Sequence, residues 1–553
     1  MIKKTASTKT AIFVFCLFLF ILNYVNVSAQ INEPQTKEVY NYLYRMSEKG
    51  LIQWDDIVLP LDRHTIAESL VTLQHQANKL SAIEKKELNF YLIEYYYDIH
   101  LFTSQYLNDD KVHLLHKDEA GRFRLVAAGN KQQQLFLDPI VGYDYTHYNN
   151  NHNLTTYSGF RMWGMLGKHV GYTVFFRDVT ESGDSLNNGK YFTPDQGIVN
   201  TSRSPNQLNY SNLNFNIGYR WKNGVVTVGK DNLNWGYGES GKIVLSSKAP
   251  SFFYLRLHYS PFKWLDFDYF NGWLNSDVID SSRSYSTGTT VAGGYREIFR
   301  NKYIASHSLT FKSGKGLSFS IGESMVYSDK LDVGYLIPIN FFKAYDQYVS
   351  SYSLNGGSNG QIFAQISSRN QIKNTHLYLT LFIDEIRLAK IFDKTQSRNQ
   401  IAYTLGLNRT DVLLKYLTIG GEYTRIRGGV YNNIIPAQTY TNNSYSLGDW
   451  MGQNADRLYL YVKYTPLPRL KTSIWYQYTR KGADWTLGQQ YYQQPEPTFL
   501  NNELFSRRDI GFSAYYEVIQ TLKLNLNIIH NTIYFPLQAV ANNSISFGVS
   551  YGL

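Results

Sequence analysis

The residues best suited to chemistry lie in one stretch. Val228-Gly229-Lys230-Asp231-Asn232-Leu233-Asn234-Trp235-Gly236-Tyr237-Gly238 runs straight into Glu239-Ser240-Gly241-Lys242-Ile243-Val244-Leu245-Ser246-Ser247-Lys248-Ala249-Pro250. It reads as a strand, a glycine-rich bend and a returning strand, so its plainest role is a tight bend or an inward-folded loop. Gly236-Tyr237-Gly238 is not a phosphate cradle, because no helix follows to present its N-terminus. Sugar chemistry fits better. Aromatic faces stack on the C–H surfaces of sugars, and amides, carboxylates and guanidiniums take the hydroxyls. The candidates for glycan contact are Trp235, Tyr237, Glu239, Lys248 and Arg256, with Trp450, Trp485, Tyr491 and Tyr492 from later segments. The plainer role for each aromatic is loop packing or a place in an interfacial girdle.

Catalytic arrangements do not assemble. Ser306, His307 and Ser308 are neighbours on one strand, and neighbours on a strand point to opposite faces, so they form no relay. If Ala305 and Leu309 face lipid, parity sends His307 there too. A bulge, or burial under neighbours, would accommodate it, and a structural hydrogen bond is its expected role. A lipid hydrolase would need a Ser and a His together on the lipid side near the outer rim. Asp266 and Asp268 share a strand face and, with Glu422, are candidates to line a lumen, but paired carboxylates need a shared cleft. The histidines are dispersed without zinc spacing. No catalytic residue, metal or cofactor is assigned.

What positions these residues is a barrel. From about residue 138 onward, some eighteen segments of roughly ten residues alternate apolar and polar side chains. In Tyr210 to Trp221, Leu213, Phe215, Ile217, Tyr219 and Trp221 share one face and Asn212, Asn214, Asn216, Gly218 and Arg220 the other. Every second connector is tiny: Gly167-Lys168, Lys222-Asn223, Ser260-Pro261-Phe262, Lys312 to Gly316, Gln371 to Lys373, Thr465 to Arg469 and Ile519-Gln520. Several between them are long: Glu181 to Asn209, Asn275 to Asn301, Ser328 to Asn359, Gly428 to Asp456 and Gly482 to Arg507. Short turns at one end and long loops at the other are the signature of an up-and-down barrel in an outer membrane. The expected fold is an all-β transmembrane barrel of about eighteen antiparallel strands with a small N-terminal α-helical bundle.

Composition agrees. Aromatic residues make up 16% of the chain, with 47 Tyr, 31 Phe and 9 Trp, a load that interfacial girdles explain. The mean hydropathy of -0.34 hides any membrane signal, because only alternate residues of a barrel strand meet lipid. Lys3, Lys4 and Lys9, the apolar run Ala11 to Leu22 and the small-residue site Val27-Ser28-Ala29 read as a cleaved secretory signal peptide over 1–29. Cys16 is the only cysteine, so the expected mature chain has no disulfide or thiolate site. The net charge of +10 includes the three leader lysines. The remainder suits an anionic glycan or anionic headgroups of the outer leaflet. No basic helix or other nucleic-acid motif appears.

Residues 30–106 have a helical period instead and are expected to form a periplasmic bundle. Val39, Tyr42, Leu43 and Met46 make one stripe, closed by Gly50. Ile66, Leu70, Leu73, Ala77 and Leu80 make a second. Ser81 to Glu84 reads as a capping box opening a third helix. A connector, 107–137, is expected next, with a short strand at Phe123 to Ala127. The barrel then occupies 138–553. Its last strand puts Ile545, Phe547, Val549, Tyr551 and Leu553 on one face, a pattern like the one read by the outer-membrane insertion machinery.

The segment 228–250 resembles the Wzi-type capsule assembly family of outer-membrane barrels. Its shared elements are Gly229-Lys230, Trp235-Gly236 with Gly238, and Leu245-Ser246 followed by Ala249-Pro250. A second likeness runs over Lys302 to Leu309, with Tyr303, Ala305 and His307. A third covers Ile321 to Tyr327, with Gly322 and Glu323. Pro60-Leu61-Asp62-Arg63 is similar to the family's helical region. Lys248, Ser308 and Tyr237 depart from the commoner Asn, Arg and Pro. The resemblance implies a barrel partly closed by periplasmic helices and folded-in loops, non-enzymatic, at the surface of a Gram-negative cell. It also implies binding of capsular or exopolysaccharide and a part in capsule assembly. Expected partners are that glycan, outer-membrane lipids with lipopolysaccharide, and the insertion machinery. A porin-like channel for small solutes or oligosaccharides is the alternative.

Overall fold

The structure, a computed structural model, describes residues 31–100, 111–130, 132–290, 293–352, 357–393 and 395–553. The expected signal peptide lies outside them. Eighteen antiparallel strands close into one barrel. They are β1 Gln133–Tyr148, β2 Asn151–Leu166, β3 Val170–Gly183, β4 Gln207–Trp221, β5 Gly224–Asp231, β6 Phe252–Phe262, β7 Leu265–Ile279, β8 Phe299–Lys312 and β9 Leu317–Ser328. Then follow β10 Asn359–Arg369, β11 Thr375–Ile386, β12 Asn399–Thr410, β13 Leu417–Ile426, β14 Ala455–Leu467, β15 Leu470–Gly482, β16 Glu503–Ile519, β17 Leu522–Tyr534 and β18 Ala539–Tyr551. Each strand pairs with the next, and β18 closes on β1 with Phe547 opposite Tyr145. Closure leaves the ladder no free edge. A hairpin, Val112–Lys117 with Phe123–Gly129, extends the start of β1.

The alternation read along β4 is the barrel wall in section. Leu213 and Ile217 are exposed on the outside, and Asn216 is buried inside. Around the cylinder Ile321, Ile366, Leu405, Leu460, Ile474 and Ile545 are exposed outward in the same way. So extended an apolar belt suits hydrocarbon rather than water. Among the described residues no helix is long and apolar enough to cross a membrane.

Two of the short turns fall a little later than their sequence signals. They lie at Lys263-Trp264 and Pro468-Arg469. Pro261 and Pro466 sit instead within register breaks, between Tyr259 and Phe262 and between Tyr464 and Leu467. Proline has no N–H to give a ladder, so the strand admits it where the ladder is interrupted.

The helical region comprises α1 Val39–Glu48, α2 Arg63–His75, α3 Ala82–Glu94 and the single turn α4 Tyr96–Ile99. Asp62 caps α2 by accepting from Thr65 N at 2.9 Å. The Ser81–Glu84 capping box opens α3 as its sequence indicates. Gly50, at φ +69, ends α1 in a conformation that L side chains resist. A bundle this small is marginal alone. It docks on the short-turn end of the barrel through buried cations. Arg63 donates to Asp98 at 2.7 Å and to Glu33 at 2.5 Å, and its guanidinium lies over Trp163 of β2. Arg369 of β10 reaches the Trp54 carbonyl and Asp56, both at 2.5 Å. Arg220 of β4 pairs with Asp62 at 2.7 Å. From the other side Glu87 of α3 binds Tyr416 and Lys471. The segment between α1 and α2 climbs into the lumen, where Val58 and Leu59 pair with Trp235 and Asn234.

Candidate functional site

The glycine-rich segment is the stopper of this barrel. It leaves β5, enters the lumen and returns to β6. Trp235 and Leu245 exchange both backbone hydrogen bonds, at 2.8 and 3.3 Å, making a narrow hairpin. Gly236 turns at φ +103 and donates to the Ile57 carbonyl at 2.8 Å. At Gly238 a Cβ would sit 1.8 Å from the Gly241 carbonyl oxygen, so no side chain fits there.

Charge and amide groups fasten the tip. The Glu422 carboxylate of β13 accepts from Glu239 N at 2.6 Å, Ser240 N at 3.3 Å, Ser240 Oγ at 2.7 Å and Tyr378 OH at 2.7 Å. Arg457 lies 3.7 Å from the same carboxylate and holds Asp449 through two bonds of 3.0 and 2.9 Å. Lys242 donates to the Gly236 carbonyl at 2.7 Å. The loop between β13 and β14 then clamps the stopper from the long-loop side. Tyr431 OH donates to the Ile243 carbonyl at 2.6 Å, Tyr440 OH to Val244 at 2.8 Å and Trp450 Nε1 to Ser240 at 2.9 Å. Ile243, Val244, Leu245, Leu447 and Met451 fill the space between as a buried apolar core.

These contacts decide where the candidate residues stand. Trp235, at 1% exposure, and Tyr237, Trp450 and Trp485 are buried in packing and offer no face to a sugar. Trp485 donates to Asn501 at 2.8 Å and covers Gly428. Arg256 is buried beneath the bundle, donating to the Pro60 carbonyl at 2.9 Å. Lys248 is buried as well and gathers the carbonyls of Lys190, Thr193 and Asp195, which ties down the loop after β3. Burial, with Lys190 nearby, draws its ammonium down to about 8 despite Asp195. Glu239 pairs with Lys463, and Tyr491 is half-buried near Arg398. Of the nine, Glu239 and Tyr492 are exposed, Tyr492 at 74%. The motif residues have plain structural duties. Lys230 donates to the Leu213 carbonyl at 2.9 Å and to Ser251 at 2.7 Å, Ser246 N to the Leu447 carbonyl at 2.7 Å, and Ala249 is buried beside Pro250, whose carbonyl accepts from Asn442 at 3.0 Å. At Gly229 a Cβ would meet the Phe215 carbonyl oxygen at 2.4 Å.

Two hollows flank the stopper. On the short-turn side a cavity of about 580 Å³ runs between bundle and wall, lined by Tyr44, Glu48, Tyr416, Tyr461 and Lys471. It ends at Tyr237, Gly238 and Glu239. Burial holds the Glu48 carboxyl up at about 8, against the pull of Arg369 and Arg45. On the long-loop side a cleft of about 380 Å³ opens between the loop after β3 and the loop after β13. Tyr191, 62% exposed, stacks on Tyr445 at 5.2 Å and 19°. Asn188, Asn200, Arg203, Asp277 and Asn443 surround the pair. Sequence reading missed this cleft. Its only trace there is a tyrosine among asparagines in each of two distant loops.

One arrangement looks catalytic. Ser260 Oγ lies 3.1 Å from His258 Nε2, and His258 Nδ1 lies 3.0 Å from Asp268. The hydroxyl proton, however, is given to Asp266 at 2.7 Å, and Asp266 is held by Lys312. A serine whose proton is committed to a carboxylate is not activated by the histidine. Among the described residues no group of three His, Cys, Asp or Glu is arranged to hold a metal ion.

No family model matches the sequence, and no curated protein matches it. Solved structures do. Wzi of Escherichia coli, an outer-membrane protein involved in group 1 capsule assembly and a carbohydrate-binding β-barrel, aligns at TM-score 0.58. The alignment covers 95% of this chain and 100% of Wzi at 12% identity. The fold is that of Wzi. At that identity the fold is what the two share. Looser alignments reach OprD of Pseudomonas aeruginosa, at TM-score 0.40 and 11% identity over 81% of this chain and 98% of OprD. OccAB1 of Acinetobacter baumannii gives 0.42 and 11% over 76% and 95%.

Proposed function

We propose that this chain is exported, inserted in the outer membrane through its C-terminal strand, and holds polysaccharide at the cell surface without passing it or cutting it. The observation that carries this reading is the pairing of a stopper folded into the lumen with an open cleft at the long-loop end. In this reading the short turns and bundle face the periplasm, and the cleft faces outside among the lipopolysaccharide. The exposed ring of Tyr191, backed by Tyr445, is a platform for a sugar face. Asn188, Asn200 and Asn443 supply amides for hydroxyls, and Arg203 supplies a cation for an acidic capsular sugar. The likeness to Wzi supports the class of ligand. A channel role would require the stopper to leave, and its core and buried hydrogen bonds weigh against that.

Cells lacking the protein are expected to make as much polysaccharide as the parent but to release a larger share into the medium. Restoring the protein with Tyr191→Ala should return the barrel but not full retention. Normal retention in the deletion strain would overturn the reading.

A further inference from the structure

His307 and Glu323, prominent in the sequence yet outside the site above, sit on the outer face of the barrel wall. They are directly opposite one another on β8 and β9, and Glu323 is opposite Ile362 of β10, an exposed outward residue. No register break interrupts β8 or β9 here. Parity therefore places both on the hydrocarbon side. Glu323 lies about five residues below the long-loop end of β9, or roughly 17 Å of strand. A bare carboxylate at that depth would be costly.

A cover solves the problem. After β9 the chain folds back over the outside of the wall, makes a 3-10 turn at Val333–Leu336 and starts helix α5, Phe342–Tyr352. Glu323 accepts from Phe342 N at 2.6 Å and from Lys343 N at 3.1 Å, so it caps that helix. His307 Nε2 is 3.0 Å from Glu323, and Nδ1 is 2.8 Å from the Pro338 carbonyl. The His307 ring stacks on Phe342 at 4.4 Å. Tyr269, Tyr303, Ala305, Met325 and Tyr327 of the outer wall are all buried beneath, against Tyr335 and Phe342. Tyr335 fixes the fold-back by giving its hydroxyl proton to Asp346 at 2.9 Å.

The opposite side of this cover is apolar. Ile339 is 85% exposed, and Val333, Ile337 and Phe341 are exposed with it. Ile337 and Ile339 flank Pro338, whose carbonyl meets His307, two residues from the outward Leu309 of the belt, so the covered sector regains the apolar surface that it lost. We propose that residues 331–341 form a collar immersed in the outer leaflet, with Val333, Ile337, Ile339 and Phe341 against lipid acyl chains. The His307–Glu323 pair is its anchor. The continuity of the patch with the hydrocarbon belt argues for acyl chains as its occupant. This inference stands apart from glycan binding.

Cys16 is the only native cysteine, so Ile339→Cys in a Cys16→Ala background carries a single environment-sensitive fluorophore. In proteoliposomes that label should lose most of its emission to acyl-chain doxyl lipids and little to aqueous iodide. A label at Leu537→Cys, on a fully exposed loop, should do the reverse. Adding Glu323→Ala should expose the Ile339→Cys label to iodide while heat-modified mobility still reports a folded barrel. Iodide quenching at 339 equal to that at 537 would overturn the proposal. Shielding that vanishes on dilution into excess lipid would also overturn it, because a second copy would then be the cover.

Discussion

Glu422→Ala should open the barrel. The wild-type carboxylate receives four hydrogen bonds, three from the stopper tip at Glu239 and Ser240 and one from Tyr378. Hydrogen bonds to a charged group contribute about 1.5–3 kcal/mol each, and leaving a buried partner unsatisfied costs more. The substitution also leaves Arg457 with Asp449 as its remaining carboxylate. The tip should detach, and Trp450 should lose the Ser240 carbonyl it binds. Liposomes bearing the variant should swell in small sugars, where wild-type liposomes stay inert. Glu422→Gln keeps an acceptor oxygen and should fall between. Heat-modified mobility would confirm that the cylinder survives. A variant as impermeable as wild type would remove Glu422 as the stopper's anchor.

Arg63→Ala should loosen the bundle and leave the barrel standing. The guanidinium is fully buried between Glu33, Asp98, the Glu94 carbonyl and the rings of Tyr95 and Trp163. Burial alone would raise the Glu33 carboxyl, but Arg63 and Arg161 hold it below its ordinary value. Removing one partner from a buried ion pair costs about 3–5 kcal/mol, because the other charge stays behind unpaired. Hydrogen exchange should accelerate through α2 and α3, with the barrel amides unchanged. Glu33→Gln and Asp98→Asn added to Arg63→Met should restore part of the protection, since no buried charge is then stranded. Unchanged exchange in Arg63→Ala would mean that the bundle is held by apolar packing alone.

The barrel was readable because a wall between two solvents writes itself with period two, and hairpins alternate in length for a reason of assembly. β4 displays this residue by residue. The capping box at Ser81 was readable because a cap is a local event. The stopper was only half readable. Its glycines announced a bend, but Trp235, Trp450 and Trp485 in a loop look the same whether they meet a sugar or one another. Trp450, in the loop from β13 to β14, is buried against a stopper some two hundred residues earlier in the chain, and no periodicity links the two. His307 shows the other kind of gap. Parity placed it outward, and no bulge corrects it. What hides it is a fold-back of the chain after β9, which alternation along a strand cannot register. The Tyr191–Tyr445 stack went unread for the same reason, since it joins two loops with no pattern in common.

Planar-bilayer recording of the purified wild-type protein is the most direct test of a sealed, glycan-holding barrel. No steady conductance is expected, because the stopper folds into the lumen and Ile243 and Val244 are held there by Tyr431 and Tyr440. A large, stable conductance from the unmodified chain would contradict the closed lumen and favour a channel.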